Sequence, residues 1–221
     1  YQRYLPPPVA DLVARGEIDR LRRGWRAEAA MLMVDIRGFT GLSETLDPAA
    51  LGRFVTAYRR RLGEVVEAHG GMVDKFVGDG AVVLFGVPQP RATAAADALA
   101  CARALVAALA EIEGRPLRLA IGAHWGEVIV GAVGDEARLE FTALGDAVNV
   151  AARLEEVAKA EDVPVVASAP LLAAADVAAA DWRPLARRQV RGRRGALALF
   201  APAREPAATS VAVDRSSGDE A

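Results

Sequence analysis

From Ala27 onward, short apolar runs alternate with longer stretches of helical periodicity, in the order β-α-β-β-α-β with more strands after it. That order predicts an α+β domain in which helices cover one face of a mostly antiparallel sheet. Ala29–Val34 reads as a buried strand ending on Asp35. Asp47 suits an N-cap and Pro48 a first turn, for a helix to about Ala68 with Leu51, Phe54, Val55, Tyr58, Leu62 and Val65 on one face. His69-Gly70-Gly71 stops it. Met72–Val77 and Ala81–Phe85 read as strands joined by the turn Gly78-Asp79-Gly80. An Ala-rich helix follows from Thr93 to about Glu111. Two strands, Leu117–His124 and Glu127–Val133, are expected on either side of Trp125-Gly126. After them come a short strand at Arg138–Ala143, a helix from Asp146 to about Lys159, a strand at Val163–Ala167 and a helix at Pro170–Ala175. Strands near Arg187–Val190 and Ala196–Ala201 close the domain.

The expected domain spans residues 27–203. Residues 1–26 read as a connector, in which Pro6, Pro7 and Pro8 bar a regular helix. Val9–Arg23 is weakly amphipathic with a break at Gly16, which fits a surface helix or a signal-carrying linker equally. Residues 204–221 turn to Ala, Ser, Pro, Asp and Glu and are expected to be a disordered tail. The chain begins at Tyr1 with no basic-then-apolar leader, and reads as a piece of a longer protein. Hydrophobic residues at 52% suffice for a packed core. A formal net charge of -2 argues against a general polyanion-binding surface, so nucleic acid is not an expected partner. A single cysteine forms no internal disulfide and fits a reducing, cytoplasmic setting. No run reaches the roughly 18–20 apolar residues of a membrane span.

Three segments put polar residues where a core would take apolar ones. In Asp35-Ile36-Arg37-Gly38-Phe39-Thr40 a carboxylate ends an apolar strand, and such a group is costly unless paired or metal-bound. Gly38 lets the chain turn with its amides exposed, a geometry that binds phosphate oxygens. In Asp74-Lys75-Phe76-Val77-Gly78-Asp79-Gly80, Asp79 sits in a tight turn; if the flanking strands are neighbours, Asp35 and Asp79 lie together. Two close carboxylates repel, and a divalent cation relieves the repulsion. In Gly145–Leu154, Asn149 and Arg153 are four apart on a predicted helix and share a face. Singly, an Asp-Gly turn or a solvated helix face explains each segment.

Together, the three segments and Ile121-Gly122-Ala123-His124-Trp125-Gly126-Glu127 closely resemble the class III nucleotidyl cyclase catalytic domain, over about Ala27 to Pro202. The resemblance implies a ferredoxin-like β-α-β-β-α-β core with additional strands, and a homodimer packed head to tail with active sites between the subunits. It assigns Asp35, Ile36 and Asp79 to two divalent ions, Mg²⁺ or Mn²⁺, and Gly38, Phe39 and Thr40 to substrate contacts. Lys75 and Thr142 look like the base-selecting pair. Asn149 would orient the ribose, Arg153 would stabilise the transition state, and Arg191 would contact the terminal phosphates. The carboxylates come from one subunit and the Lys, Thr, Asn and Arg from the other. A Lys donor suits adenine N1, whereas guanine readers carry Glu there, so the implied substrate is ATP and the product 3′,5′-cyclic AMP. Many adenylate-specific members have Asp at the place of Thr142. Members with Thr include several that respond to bicarbonate, and the same response is expected here. The rival readings are a guanylate cyclase, a nucleotide-binding domain without turnover, and a dimerising module. His69 and His124 read as structural, Cys101 as a small buried side chain, Trp125 as a turn residue suited to the dimer interface, and Arg59–Arg61 as a solvated helix surface.

Overall fold

The computed structural model describes residues 5–134, 139–192 and 195–204. Two short helices, α1 (Pro7–Ala14) and α2 (Ile18–Arg23), precede a long strand β1 (Trp25–Ile36). Helices α3 (Phe39–Glu44) and α4 (Pro48–Ala68) lead to the hairpin β2 (Met72–Val77) and β3 (Gly80–Phe85). Helix α5 (Ala94–Ala108) is followed by a two-stranded flap, β4 (Glu111–Ile112) and β5 (Arg115–Pro116), and by β6 (Leu119–Gly134). The chain continues through β7 (Leu139–Leu144), α6 (Asp146–Ala160), β8 (Val165–Ser168) and α7 (Ala169–Ala175). It ends in β9 (Trp182–Gly192) and β10 (Gly195–Pro202).

The main sheet has the order β2-β3-β1-β6-β8-β10-β9, with β7 paired to β6. Its first four strands are the expected ferredoxin-like arrangement: β1 lies between β3 and β6, antiparallel to both. Among the described residues, only the β6–β8 pairing is parallel. The expected N-cap holds, since Asp47 accepts from Ala50 N at 2.8 Å and Pro48 opens α4.

Helices cover both faces of the sheet, not one. Helices α4, α5 and α7 pack Phe54, Tyr58, Leu62, Leu105 and Leu171 against Leu32, Val34, Val83, Phe85 and Ile121. On the other face, α6 buries Val150, Leu154 and Ala158 against Ala120 and Val166. Its approach depends on Gly122, where a Cβ would lie 2.0 Å from Ala151 O. Trp125-Gly126 does not divide two strands: β6 runs through it, paired with β1 from Leu119↔Ile36 to Val130↔Trp25. Gly126 is there for closeness, because a Cβ would stand 3.0 Å from Ala147 Cβ on α6. Trp125 accordingly packs against the main core from mid-strand.

Residues before β1 are more ordered than the proline run suggests. Pro7 starts α1, where its missing N–H is harmless. The break at Gly16 has φ 80°, as a left-handed turn requires. Leu5, Val9, Leu12 and Leu21 are buried with Met31, Leu84, Val130 and Phe141. Of the expected tail, residues 205–221 lie outside the described residues. Among the described residues no helix is long and apolar enough to cross a membrane.

Candidate active site

Asp35 stands near the end of β1, opposite the turn between β2 and β3 that carries Asp79, because Val34 pairs with Ala81. The two carboxyl groups lie close enough to act on each other's titration, and the Ile36 N–H donates to Asp35 Oδ1 at 3.0 Å. Burial pushes the Asp79 carboxyl up, the shared hydrogen bond and negative charge of Asp35 add to this, and the group ends at about 6. Asp35 also feels burial, but the Asp79 hydrogen bond and the Lys159 ammonium outweigh it and hold Asp35 below its ordinary value. The two acids therefore titrate as a pair, and the proton between them is lost as pH rises through about 6. Near this pair, the buried Tyr58 hydroxyl has no hydrogen-bond partner among the described residues and is held protonated, first by burial and then by the two acids. Arg59 lies 4.6 Å over the Phe76 ring and donates to Gly78 O at 3.3 Å. It thus pins the turn that presents Asp79 and is not a merely solvated side chain.

Three residues that the sequence reading did not assign stand beside this pair. Lys159, on the last turn of α6, ion-pairs with Asp35 Oδ2 and with Glu155 Oε1, the latter at 2.8 Å. Glu155 is nearly covered, and its carboxyl is raised by that burial. Arg37 donates to Leu119 O, Asp162 Oδ1, Ala158 O and Val163 O, and so ties the end of α6 to the end of β1. The i,i+4 spacing of Glu155 and Lys159 was the available signal, but nothing in the chain's order joins them to Asp35.

Gly38 is left-handed at φ 68° and caps α3 without side-chain help. Thr40 is exposed, whereas Phe39 is half-buried with its ring 6.4 Å from that of Phe54. Lys75 Nζ donates to Thr142 Oγ1 at 2.7 Å, bringing the expected pair together across β2 and β7. Asn149 and Arg153 are both exposed on α6. Arg191 is in β9 opposite Ala196, and its side chain lies outside the described residues. His124 is buried, with Nδ1 2.7 Å from Ser168 Oγ, and Cys101 is fully buried in α5.

Among the described residues no group of three or more His, Cys, Asp and Glu side chains forms a metal cluster. The fit to a divalent ion thus rests on two neighbouring carboxylates, one of which already carries the Lys159 ammonium. Two carboxylates completed by substrate phosphates suit Mg²⁺.

The strand order, the two acids at the end of β1 and in the β2–β3 turn, and the Asn and Arg exposed on α6 make up the arrangement that the sequence resemblance to nucleotidyl cyclase domains implies. The chain matches the adenylate and guanylate cyclase catalytic domain family over residues 25–200, and it belongs to that family. The protein called adenylate cyclase 1 in Rhizobium meliloti (strain 1021) is 34% identical over 186 residues, 81% of this chain and 28% of that protein. The chain thus spans under a third of that relative's length. Among solved structures, the guanylyl cyclase Cya2 is 30% identical with a TM-score of 0.69, covering 81% of this chain and 92% of that one. The adenylyl cyclase CyaB from P. aeruginosa is 26% identical with a TM-score of 0.70, covering 82% and 96%.

Proposed function

We propose that this domain converts ATP to 3′,5′-cyclic AMP and pyrophosphate at two composite sites formed between two copies of the chain. The observation that carries the reading is the placement of Asp35 beside Asp79, two acids from separate elements that, with substrate phosphates, suit a divalent ion. Bound at Asp35, Ile36 and Asp79, two Mg²⁺ or Mn²⁺ ions would supply Lewis acidity for the ribose 3′-hydroxyl and the triphosphate. The 3′-oxygen attacks the α-phosphorus, the bond to the bridging oxygen breaks, and pyrophosphate leaves. The hydroxyl proton passes to solvent or substrate. The chain's own groups orient and neutralise: Asn149 holds the ribose, Arg153 and Arg191 face the phosphates, and Gly38, Phe39 and Thr40 line the triphosphate side.

A composite site is supported by the geometry of α6. Lys159 reaches Asp35 of its own chain. At 1.5 Å and 100° per residue, Arg153 stands about 9 Å further down the axis and about 120° around it. Arg153 therefore leaves α6 on a different side from Lys159, the residue that meets Asp35. An apolar surface for a second copy exists at Val77, Ile129, Val133 and Leu144, which are 59%, 45%, 59% and 54% exposed. A dimer related by a two-fold axis gives two complete sites.

ATP is favoured over GTP because Lys75 is a donor facing an acceptor edge, with Thr142 completing the pair. Purified protein with Mn²⁺ should form cyclic AMP from ATP much faster than cyclic GMP from GTP. Preferential use of GTP would make it a guanylate cyclase, and no cyclic product at high protein concentration would make it a binding domain. Thr142 also motivates bicarbonate stimulation. At fixed pH, bicarbonate should raise the initial rate over a chloride control, and equal rates would remove that part of the reading.

A further inference from the structure

The base-selecting lysine has a buried acid behind it. Asp74 precedes Lys75 in β2, and its side chain is 0% exposed while that of Lys75 is 44% exposed. Among the described residues neither Asp74 oxygen has a well-formed hydrogen bond, and the Lys75 ammonium lies 3.4 Å from Oδ2. A carboxylate covered in this way destabilises the fold unless something offsets it, and a buried unsatisfied group calls for an explanation. Burial raises the Asp74 carboxyl, with Lys75 and the Ala143 backbone opposing and Glu140 reinforcing the rise.

Backbone geometry explains how two consecutive side chains serve one place. Val73 opposes Val83 and Lys75 opposes Val82, so Asp74 is the extra residue of a β-bulge. Bulges re-aim side chains beside functional sites. Val73 and Phe76, on either side, pack against the α4–α5 core. The bulge turns both Asp74 and Lys75 to the other side, toward β7. There Lys75 Nζ has Thr142 Oγ1 at 2.7 Å and Asp74 Oδ2 at 3.4 Å. An ammonium has three N–H bonds in a tetrahedral arrangement. Two contacts fix its rotation and leave the third N–H in a set direction.

We infer that Asp74 is a positioning residue for base selection: it anchors the Lys75 ammonium from behind, so that the remaining N–H meets an acceptor on the purine edge. The inference rests on the reading of Lys75 and Thr142 as the base-selecting pair. Thr142 carries no charge, and Asp74 brings a carboxylate to within 3.4 Å of this lysine.

The test measures kcat and KM for ATP and for GTP, together with Tm, in Asp74→Asn, Lys75→Ala and the double variant. Asp74→Asn should lower the ATP:GTP ratio of kcat/KM roughly tenfold, the size of one misdirected hydrogen bond to a charged group. Its Tm should be equal to or above that of the parent, because a buried charge is gone. In the Lys75→Ala background, Asp74→Asn should change the ratio no further. A lower Tm with an unchanged ratio would show a purely structural acid and overturn the inference, and so would additive effects in the double variant. Should Asp74→Asn fail to fold, Asp74→Ser is read in the same way, and failure of both overturns it. If Lys75→Ala itself leaves the ratio unchanged, the pair does not read the base and the inference falls with it. If only Asp74→Asn leaves it unchanged, the pair stands and the inference alone falls.

Discussion

A histidine buried in its neutral form makes folding depend on pH. His124 sits on β6 against Ser168, and burial lowers it to about 4, with the Asp146 charge opposing. Between the ordinary value of 6.5 and about 4, the unfolded chain takes up a proton that the folded chain refuses. Stability is therefore full above that window and falls as pH drops through it. Urea unfolding should show a loss of about 2 kcal/mol between about pH 7 and about pH 5 from this group. A His124→Gln variant should lack that part of the slope, and an unchanged slope would remove His124 as its source. Lys159 makes a second residue-scale prediction. Its ammonium occupies Asp35 Oδ2, and a divalent ion binding there must displace it. Lys159→Gln should tighten Mn²⁺ binding to the nucleotide-free protein roughly three- to fivefold, as expected for losing a partly exposed ion pair. Weaker binding, read by calorimetry, would mean that Lys159 supports the ion.

Helix α6 is the element on which both halves of the account depend. One end lies on Asp35 through Lys159, and Asn149 and Arg153 nearer its start are exposed. Its seat is Gly122, where an added Cβ would also stand 2.4 Å from Glu155 N. Those neighbours are backbone and cannot swing away. Gly122→Ala should destabilise the fold by about 3 kcal/mol in denaturant unfolding and displace α6, with loss of activity. A neutral result would show that α6 has slack on the sheet. This seat explains one limit of the sequence reading. In sequence Trp125-Gly126 has the look of a turn, yet Gly126 and Gly122 both admit a helix at close range, and a glycine's spacing in sequence does not say which need it serves. Likewise Pro6–Pro8 were read as barring a helix, while Pro7 begins one. The strands and long helices were legible because Asp47, His69-Gly70-Gly71 and Gly78-Asp79-Gly80 carry strong local stop and start chemistry.

At the scale of the whole molecule, the order of elements fixed the sheet that brings Asp35 to Asp79 and Lys75 to Thr142. The parts that the order could not reveal are contacts between distant segments: Lys159 on Asp35, Arg37 on the end of α6, and the buried N-terminal helices. They depend on tertiary packing, which leaves no local pattern. The central claim is that acids and arginine of one working site come from different copies of the chain. A mixing assay tests it most directly. Asp79→Ala and Arg153→Ala should each be inactive alone. Mixed in equal amounts and allowed to exchange subunits, they should recover about a quarter of the parent's cyclase activity, from one intact site in each heterodimer. A mixture that exchanges subunits but stays inactive would contradict the account.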